Sequence, residues 1–221
     1  MANKIEWCDR TWSPVTGCSP ISEGCANCWA KQFSKRLAGR YDYPADDPFK
    51  VTFHPDRLFE PTEWRGHAYI FVTSMGDLFH EDVRTEWLHQ IGEVIREYKQ
   101  HTFMLLTKRP ERMRLHITSA LPNVWLGVST ENQRRADERI PMLLSIPAAK
   151  HFLSVEPMLG PVHLFLERNH VDWVICGPET GPKARPCDKA WVKNLYEQCK
   201  EAGVPFWDKT DILGKNIKER P

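Results

Sequence analysis

The stretch YIFVTSMGDLFHEDVRTEWLHQIGEVIREYKQHTFMLLT, residues 69–107, contains two kinds of hydrophobic pattern. At its two ends, YIFVTS (69–74) and TFMLLT (102–107) are short and almost continuously apolar. Such runs are typical of parallel strands that are buried on both faces. Between them, the apolar residues that recur at helical spacing are Trp87, Leu88, Ile91, Val94, Ile95 and Tyr98. The stretch therefore predicts a strand, an amphipathic helix and a second strand, the repeating unit of a parallel α/β fold.

The same alternation extends along the chain in both directions. Further apolar runs predict strands at 51–54 (VTFH), 124–129 (VWLGVS), 151–156 (HFLSVE), 172–177 (DWVICG) and 204–209 (VPFWDK), with one more around 11–15. A second strong helix is predicted at 188–203, which Asp188 can cap and Gly203 can end. A helix at 131–145 is predicted to be weaker because Pro141 interrupts it.

Eight strands that alternate with helices predict a (β/α)8 TIM-type barrel. The chain is short for that fold, so a compact barrel is expected, and a partly open one is considered beside a closed one. An open doubly wound sheet is the alternative architecture. It is disfavoured because no G-x-G-x-x-G phosphate turn follows any of the predicted strands.

Composition indicates an ordinary globular protein. The chain has 221 residues, 41% of them hydrophobic, and a net charge of +1. We therefore expect residues 1–221 to form a single domain, which carries a cysteine loop at 17–29. No apolar run is long enough to span a membrane, and the N-terminus lacks the pattern of a secretory signal. A cytoplasmic protein without membrane contacts is expected, and the near-neutral charge gives no overall argument for nucleic-acid binding.

The cysteine loop GCSPISEGCANCWA, residues 17–30, places Cys18, Cys25 and Cys28 in the pattern C-x6-C-x2-C. Seven cysteines in a chain without an export signal favour metal or redox chemistry over disulfides. The x2 spacing lets two thiolates turn onto one metal centre. Cys28 is expected to open a helix, whose N-terminus favours a thiolate.

Three interpretations of this loop remain open. The cysteines are unliganded thiols, or they bind zinc with Cys8 or a histidine as fourth ligand, or they hold a [4Fe–4S] cluster through three irons. Zinc is disfavoured because no C-x2-C partner or H-x3–5-H pair lies nearby. A position after the first strand, at the active end of a barrel, favours a cluster whose fourth iron is left for substrate or cofactor.

The other four cysteines are treated separately. Cys199 lies on the apolar stripe of its helix and is predicted to be part of the core. Cys176 lies within a strand and points either into the barrel or towards the helices. Cys8 and Cys187 lie in loops with polar neighbours. Each is either a thiol next to the site, such as a hydrogen-atom donor, or a cysteine with no chemical role.

Polar residues follow six of the predicted strands. They are Ser74, Asp77 and His80; Thr107, Lys108 and Arg109; Ser129, Glu131 and Asn132; Glu156; Glu179, Lys183 and Arg185; and Asp208 and Lys209. Each one alone is explained by a strand end that meets solvent. Together they predict a cavity lined with charged groups at the carboxyl ends of the strands, where barrel enzymes carry their chemistry.

Several blocks of the sequence resemble, in collinear order, a phage-associated family known for its three-cysteine motif. These blocks include IEWCDRTWSPVTGCSPISEGCANCWA, SMGDLFHE, LLTKRPERM, VWLGVSTENQ, FLSVEPMLGPV, DWVICGPETGPKARP and AGVPFWDK, and the resemblance covers residues 5–209. That family in turn resembles radical S-adenosylmethionine enzymes, in which three cysteines after the first barrel strand hold a [4Fe–4S] cluster. The spacing C-x6-C-x2-C departs from the C-x3-C-x2-C that is common in those enzymes.

The resemblance implies a role for each candidate residue. Cys18, Cys25 and Cys28 would each ligate one iron, and S-adenosylmethionine would bind the fourth and be cleaved to a 5′-deoxyadenosyl radical. The residues expected to contact that cofactor are Ser74, Asp77, Lys108 (or Arg109), Glu131 and Asn132. The residues expected to face the substrate are Glu156, Glu179 and Lys209.

The resemblance also implies partners. The phage association favours a nucleotide or nucleic acid as substrate, in the cytoplasm of a bacterium or of a phage-infected host cell. An electron donor such as a flavodoxin or ferredoxin is implied as well.

The first alternative function is a non-catalytic iron–sulfur or zinc protein that acts with a partner protein. The second is a metal-independent barrel hydrolase that uses carboxylates such as Glu156 and Glu179.

Overall fold

Nine strands and five α-helices make up the chain in the computed structural model, which describes residues 5–221. In chain order they are β1 Arg10–Trp12, β2 Val15–Thr16, α1 Trp29–Ser34, β3 Thr52–Phe53, β4 Tyr69–Val72, α2 Thr85–Glu97, β5 Thr102–Thr107, α3 Pro110–His116, β6 Val124–Ser129, α4 Gln133–Leu144, β7 Lys150–Val155, β8 Trp173–Cys176, α5 Lys189–Ala202 and β9 Phe206–Asp208.

Seven of these strands form one parallel sheet in the order β1-β4-β5-β6-β7-β8-β9. Each new strand of the sheet is added at the same edge, and the sheet curls into a half-barrel. The predicted α/β class with a parallel sheet is therefore confirmed. A doubly wound sheet needs a point where the strand order reverses, and this order has none.

The predicted count of eight strands in one sheet was wrong at residues 51–54. In that run only Thr52–Phe53 is a strand, and it pairs antiparallel with β2 outside the main sheet. Both residues of β3 are half-buried, whereas an inner parallel strand is covered on both faces. Within residues 5–221 no pairing joins β1 to β9, so the sheet is described as a half-barrel and not as a closed barrel.

Side chains of the sheet alternate between two separate apolar clusters. The face covered by helices contributes, among others, Ile70, Val72, Phe103, Leu105, Leu126, Leu153, Val174, Cys176 and Phe206. The inner face contributes Phe71, Met104, Trp125, Phe152, Trp173, Ile175 and Trp207, which pack with Trp7 and Cys8. This period of two is the expected geometry of a strand with both faces buried.

The inner cluster is built largely of aromatic rings. The ring centroid of Trp173 lies 6.2 Å from that of Trp7, 6.1 Å from that of Trp125 and 6.1 Å from that of Trp207. A Cβ on Gly127 would lie 2.5 Å from the Phe152 ring, so glycine is needed there to admit that ring. The concave side of the half-barrel is therefore filled by side chains.

The helices follow the predicted patterns closely. On α2, Ile91, Val94 and Ile95 are buried against the sheet. On α5, Asp188 Oδ1 accepts a hydrogen bond from Ala190 N at 2.8 Å, and Gly203 ends the helix with φ 67°. The helix α4, Gln133–Leu144, contains Pro141 and continues for three residues beyond it.

Two cysteines are placed by these elements. Cys199 is fully buried on α5, which confirms it as a core residue. Cys176 is also fully buried, and it belongs to the cluster on the helix side of the sheet. No helix in the described part of the chain combines the length and apolar character needed to cross a membrane.

Candidate functional site

A cavity of about 450 Å³ opens at the carboxyl ends of the sheet strands. Its wall combines the cysteine loop with the segments that follow β4, β5, β7, β8 and β9. Among the predicted residues that line it are Cys18, Cys25, Cys28, Ser74, Asp77, Lys108, Arg109, Glu156, Glu179 and Lys209. The parallel sheet thus brings residues from distant parts of the sequence to one place.

The start of the cysteine loop is held against the β2–β3 pair and the end of β4. Gly17 N donates to Met75 O at 2.9 Å, and Cys18 N donates to Phe49 O at 3.1 Å. Gly17 adopts φ 89°, and a Cβ there would lie 2.2 Å from Lys50 O. Both the left-handed backbone and this close approach require glycine.

Cys18 is held by a buried guanidinium. Arg109 Nη1 donates to Cys18 Sγ at 3.4 Å and to Asp77 Oδ2 at 3.2 Å, while Nη2 donates to Ser19 O at 3.0 Å. Burial and the Asp77 carboxylate raise the pKa of the Cys18 thiol to about 12, although Arg109 acts in the opposite direction. Without a metal, Cys18 is therefore a thiol at neutral pH, and ligation there must release its proton.

Cys25 and Cys28 belong to the second half of the loop. A short 3₁₀ turn, Glu23–Cys25, precedes Cys28, which is the N-cap of α1. Burial alone would raise the pKa of Cys25, but hydrogen bonds at Ile21 and Ser22 and the charge of Lys108 lower it below the ordinary value. The helix that Cys28 opens is short and ends at Ser34.

Glu131 attaches the cysteine loop to α4. Its carboxylate accepts hydrogen bonds from Ser22 Oγ and from Arg139 Nη1, the latter at 2.8 Å, and it is fully buried. Although burial opposes ionisation, Lys108 and Arg139 hold the pKa of Glu131 below its ordinary value. A Cβ on Gly24 would lie 2.9 Å from Glu131 Oε1, so the loop passes directly over this carboxylate.

Two residues predicted to bind cofactor make contacts with other parts of the protein. Asn132 is the N-cap of α4, with Oδ1 accepting from Arg135 N at 3.0 Å. Glu131 makes the loop contact given above. The described lining of the cavity includes neither of them, because both lie at the start of α4 and point towards it or under the loop. Their predicted contact with a cofactor stays a prediction.

Asp77 and Ser74 line the cavity with their polar atoms already engaged. The Asp77 carboxylate accepts from Thr107 Oγ1 at 2.7 Å, from Lys108 N at 3.2 Å and from Arg109. Ser74 Oγ lies 3.4 Å from Ser13 Oγ. Asp77 therefore organises the β5 end, and Arg109 with it.

Lys108 differs from its neighbours on the wall. Within residues 5–221 no carboxylate lies within ion-pair distance of its Nζ, although its charge acts on both Cys25 and Glu131. It also borders a second depression that contains Arg112, Arg135 and Arg139. Lys108 is thus a cation on the cavity wall that is available to an anionic ligand.

Glu156 and Lys209 form an ion pair across the ends of β7 and β9. Lys209 Nζ donates to Glu156 Oε1 at 2.7 Å, and Ser154 Oγ donates to Glu156 Oε2 at 3.2 Å. The Glu156 charge raises the pKa of Lys209 despite the burial of that lysine. A Cβ on Gly177 would lie 2.7 Å from Glu156 Oε1, so this glycine leaves room for the carboxylate.

Glu179 forms a latch between the loop after β8 and the cysteine loop. Its carboxylate accepts from Arg185 Nη2 at 2.5 Å, from Arg185 N at 2.8 Å and from Asn27 Nδ2 at 2.9 Å. These hydrogen bonds, chiefly from Arg185, lower the pKa of Glu179 to about 2. A carboxylate with that pKa cannot act as a general acid near neutrality, which weighs against the hydrolase alternative.

The sulfur geometry bears on which metal centre the loop suits. Within the described residues, the sulfurs of Cys18, Cys25 and Cys28 are not all within 4.8 Å of one another. A tetrahedral zinc with Zn–S bonds of about 2.3 Å brings its sulfurs to about 3.8 Å from each other.

Cys8 packs among the inner aromatic rings and donates from Sγ to Ile5 O at 3.4 Å, while Cys187 packs against the helix-side core. The described cavity lining includes neither.

Sequence reasoning missed three residues that shape the site. Ser22 and Asn27 lie between the cysteines and connect the loop to Glu131 and Glu179, and Arg139 supports Glu131 from α4. For Ser22 and Asn27 the only available signal in the sequence was that they are polar residues inside the cysteine motif. Arg139 had none, because its partner is eight residues away on the far side of a helix cap.

Comparison with known proteins gives one result. A family profile, described as Protein of unknown function (DUF5131), matches residues 2–216. No curated protein and no solved structure matches the chain significantly. The match covers nearly the whole sequence, so the chain belongs to the DUF5131 family.

Proposed function

We propose that this protein is a radical S-adenosylmethionine enzyme whose [4Fe–4S] cluster is held by Cys18, Cys25 and Cys28. The observation that carries the proposal is that all three cysteines belong to one loop and line one cavity at the carboxyl ends of a parallel half-barrel. Its phage association and its likeness to radical enzymes rest on the sequence blocks alone.

The donor set fits such a cluster in two respects. At least one pair of its sulfurs is more than 4.8 Å apart, which is wider than one zinc ion requires, whereas a cluster distributes its three protein ligands over three irons. The cations Arg109 and Lys108 stand beside Cys18 and Cys25, where they offset the negative charge of thiolates. When bound, the cluster and S-adenosylmethionine supply one-electron cleavage that yields a 5′-deoxyadenosyl radical for hydrogen abstraction.

The chain's own residues position the reactants and exclude water. The ammonium of Lys108 is available for the carboxylate of the cofactor, as is expected of an unpaired cation on the wall. Asp77 and Glu131 act indirectly, because they fix Arg109 and the cysteine loop. Glu156 and Lys209 present a polar pair on the cavity wall, where a substrate's hydrogen-bonding groups are matched by one acceptor and one donor.

A nucleotide or nucleic acid is the substrate class that we favour. Trp29 lines the cavity and is 45% exposed, so its ring offers a surface on which a base can stack at the cavity rim. Trp12 is fully buried and Trp207 belongs to the inner cluster, so neither offers an exposed ring face to a base. An enzyme that acts on a base extrudes it from the nucleic-acid strand, and the cavity at the ends of the β-strands is where we propose that such a base enters.

Anaerobic reconstitution with iron and sulfide tests the proposal. We expect a [4Fe–4S] signal in electron paramagnetic resonance that changes on addition of S-adenosylmethionine, and 5′-deoxyadenosine after reduction with a flavodoxin or ferredoxin system. The variants Cys18→Ala, Cys25→Ala and Cys28→Ala should lose both, while Cys187→Ala retains them.

Two results reject the proposal in favour of defined alternatives. A cluster whose spectrum ignores S-adenosylmethionine, with no 5′-deoxyadenosine formed, indicates a non-catalytic iron–sulfur protein that serves a partner protein. A colourless protein with zinc on the three cysteines rejects both iron proposals.

A further inference from the structure

A second group of metal-binding side chains lies outside the cavity. A ring nitrogen of His54 and a carboxylate oxygen from each of Asp42 and Asp56 all lie within 4.8 Å of one another. His54 directly follows β3, and Asp42 belongs to the segment between α1 and β3. Both aspartates are exposed, whereas His54 is fully buried.

His54 has one engaged and one unengaged ring nitrogen. Its Nε2 lies 2.7 Å from Thr16 Oγ1, a contact between two buried side chains. Its Nδ1 is buried and has no hydrogen-bond partner within the described residues. When Nε2–H donates to Thr16, the lone pair remains on Nδ1, as in a metal-ligating histidine that is oriented by its second nitrogen.

We propose that His54 Nδ1 and one carboxylate oxygen from each of Asp42 and Asp56 bind a divalent transition ion of the zinc type. One imidazole and two carboxylates are ligands that suit such an ion, and three protein ligands leave a coordination position for water. The two carboxylates balance the charge of the ion. Arg57, the nearby cation, acts electrostatically on His54, but within the described residues it forms no ion pair with either aspartate: its Nη2 donates to Tyr41 O at 2.5 Å and its guanidinium lies over the Tyr43 ring.

The ion would brace the base of the cysteine loop. His54 N donates to Pro14 O at 2.8 Å, and Thr16, which contacts His54 Nε2, is two residues before Cys18. Asp42 lies on the strand-free segment that returns from α1 towards β3. A metal that joins Asp42 and Asp56 to His54 therefore closes this segment onto the β2–β3 pair, independently of whatever the cysteines bind.

Cobalt(II) titration of the full-length, chelator-treated protein tests the site. Cobalt on nitrogen and oxygen ligands gives d–d bands without the thiolate-to-cobalt charge-transfer band that cysteine ligation produces. We expect one such nitrogen–oxygen site, and zinc should raise the melting temperature of the protein. In Asp42→Asn/Asp56→Asn we expect the affinity of this site to fall by about 100-fold or more, since both charged ligands are lost.

Asp46→Asn, an exposed aspartate of the same segment, serves as the matched control and should bind cobalt and zinc as the unmodified protein does. The double variant changes only exposed side chains, so its fold is expected to persist, and far-ultraviolet circular dichroism checks this. Equal nitrogen–oxygen cobalt binding by the unmodified protein and the double variant overturns the proposal. A cobalt spectrum that contains only thiolate ligation overturns it as well.

Discussion

Arg109 donates a hydrogen bond from Nη1 to Cys18 Sγ at 3.4 Å while the same nitrogen lies 3.2 Å from Asp77 Oδ2. One buried guanidinium thus joins the cysteine loop to the end of the sheet. Its Nε also donates to Glu81 Oε2 at 3.1 Å. Since a guanidinium offers five N–H donors in a fixed plane, a single side chain sets the position of Cys18 relative to three other groups.

Replacement of Arg109 by lysine should loosen the cysteine loop. An ammonium is a point charge that cannot serve Cys18, Ser19, Asp77 and Glu81 together, so buried acceptors lose their partners. We expect the free energy of unfolding to fall by about 2 kcal/mol and the iron content after anaerobic reconstitution to fall. The measurements are urea unfolding and iron and sulfide assays.

Arg114→Lys is the control, because Arg114 is exposed on α3. If Arg109→Lys keeps both its stability and its iron content, the guanidinium does not position Cys18.

Gly17→Ala should damage the site through backbone geometry. The left-handed φ of 89° costs an alanine about 1 kcal/mol, and its Cβ would collide with Lys50 O. The expected total loss of unfolding free energy is about 3 kcal/mol, measured by urea denaturation.

Gly66→Ala isolates the collision from the strain. Gly66 also has a positive φ, 74°, but a Cβ there meets nothing within 4 Å. It should therefore lose only about 1 kcal/mol. Equal losses in the two variants would show that the contact with Lys50 is relieved at little cost.

The Glu179 latch predicts a dependence of stability on pH. The folded pKa of about 2 lies below the ordinary value of 4.5, so the contribution of the latch is fully present above about pH 5. It declines as the pH falls through 4.5 towards 2. Glu179→Gln should therefore be destabilised by about 2 kcal/mol at pH 7, and the difference from the unmodified protein should shrink on acidification.

Unfolding by urea at several values between pH 7 and pH 3 measures this difference. Glu201→Gln, at an exposed position of α5, controls for the removal of one negative charge. A difference that stays constant down to pH 3 would contradict the latch as described.

The Glu156–Lys209 pair should show strong coupling in a double-mutant cycle. Removal of one partner leaves the other with an unmatched charge in a partly enclosed wall. The summed losses of unfolding free energy in Glu156→Gln and Lys209→Met are therefore expected to exceed the loss in the double variant. The coupling should be about 2 kcal/mol. The Glu93–Arg96 pair, with a similar separation of 2.5 Å but exposed side chains, is the control and should couple weakly. Equal coupling in both cycles would place Glu156–Lys209 among ordinary surface pairs.

The sequence predicted the architecture where hydrophobic period alone decides structure. β5 and β6 were predicted with their observed bounds, and α2 and α5 within two residues. Each of them has a regular apolar pattern, because its apolar residues are buried in the core. β3 was misassigned because a short run of β-branched and aromatic residues looks alike whether it joins a large sheet or a small hairpin. Only the partner strand distinguishes the two cases, and β2 is a two-residue strand with no signal of its own.

For the site, the sequence predicted which segments meet but not how their side chains are used. The three cysteines and the residues after β4, β5, β7, β8 and β9 do line one cavity. Glu131 and Asn132 follow β6 just as regularly, yet one supports Ser22 and the other caps α4. Position after a strand places a residue near the cavity, whereas its direction is set by helix caps and buried ion pairs that no local pattern reveals.

The group of edge-to-face indole rings inside the half-barrel gives this protein an intrinsic fluorescent reporter. Trp7 lines the cavity beside the cysteine loop and lies within 6.2 Å of Trp173, which in turn lies 6.1 Å from Trp125 and from Trp207. Excitation absorbed by any of these rings migrates readily among them. An absorbing group on the three cysteines would accept that excitation by energy transfer and quench the tryptophan emission. Zinc, which absorbs no visible light, would leave the emission unquenched. The occupant of the loop can therefore be followed in solution by the fluorescence of the unmodified chain.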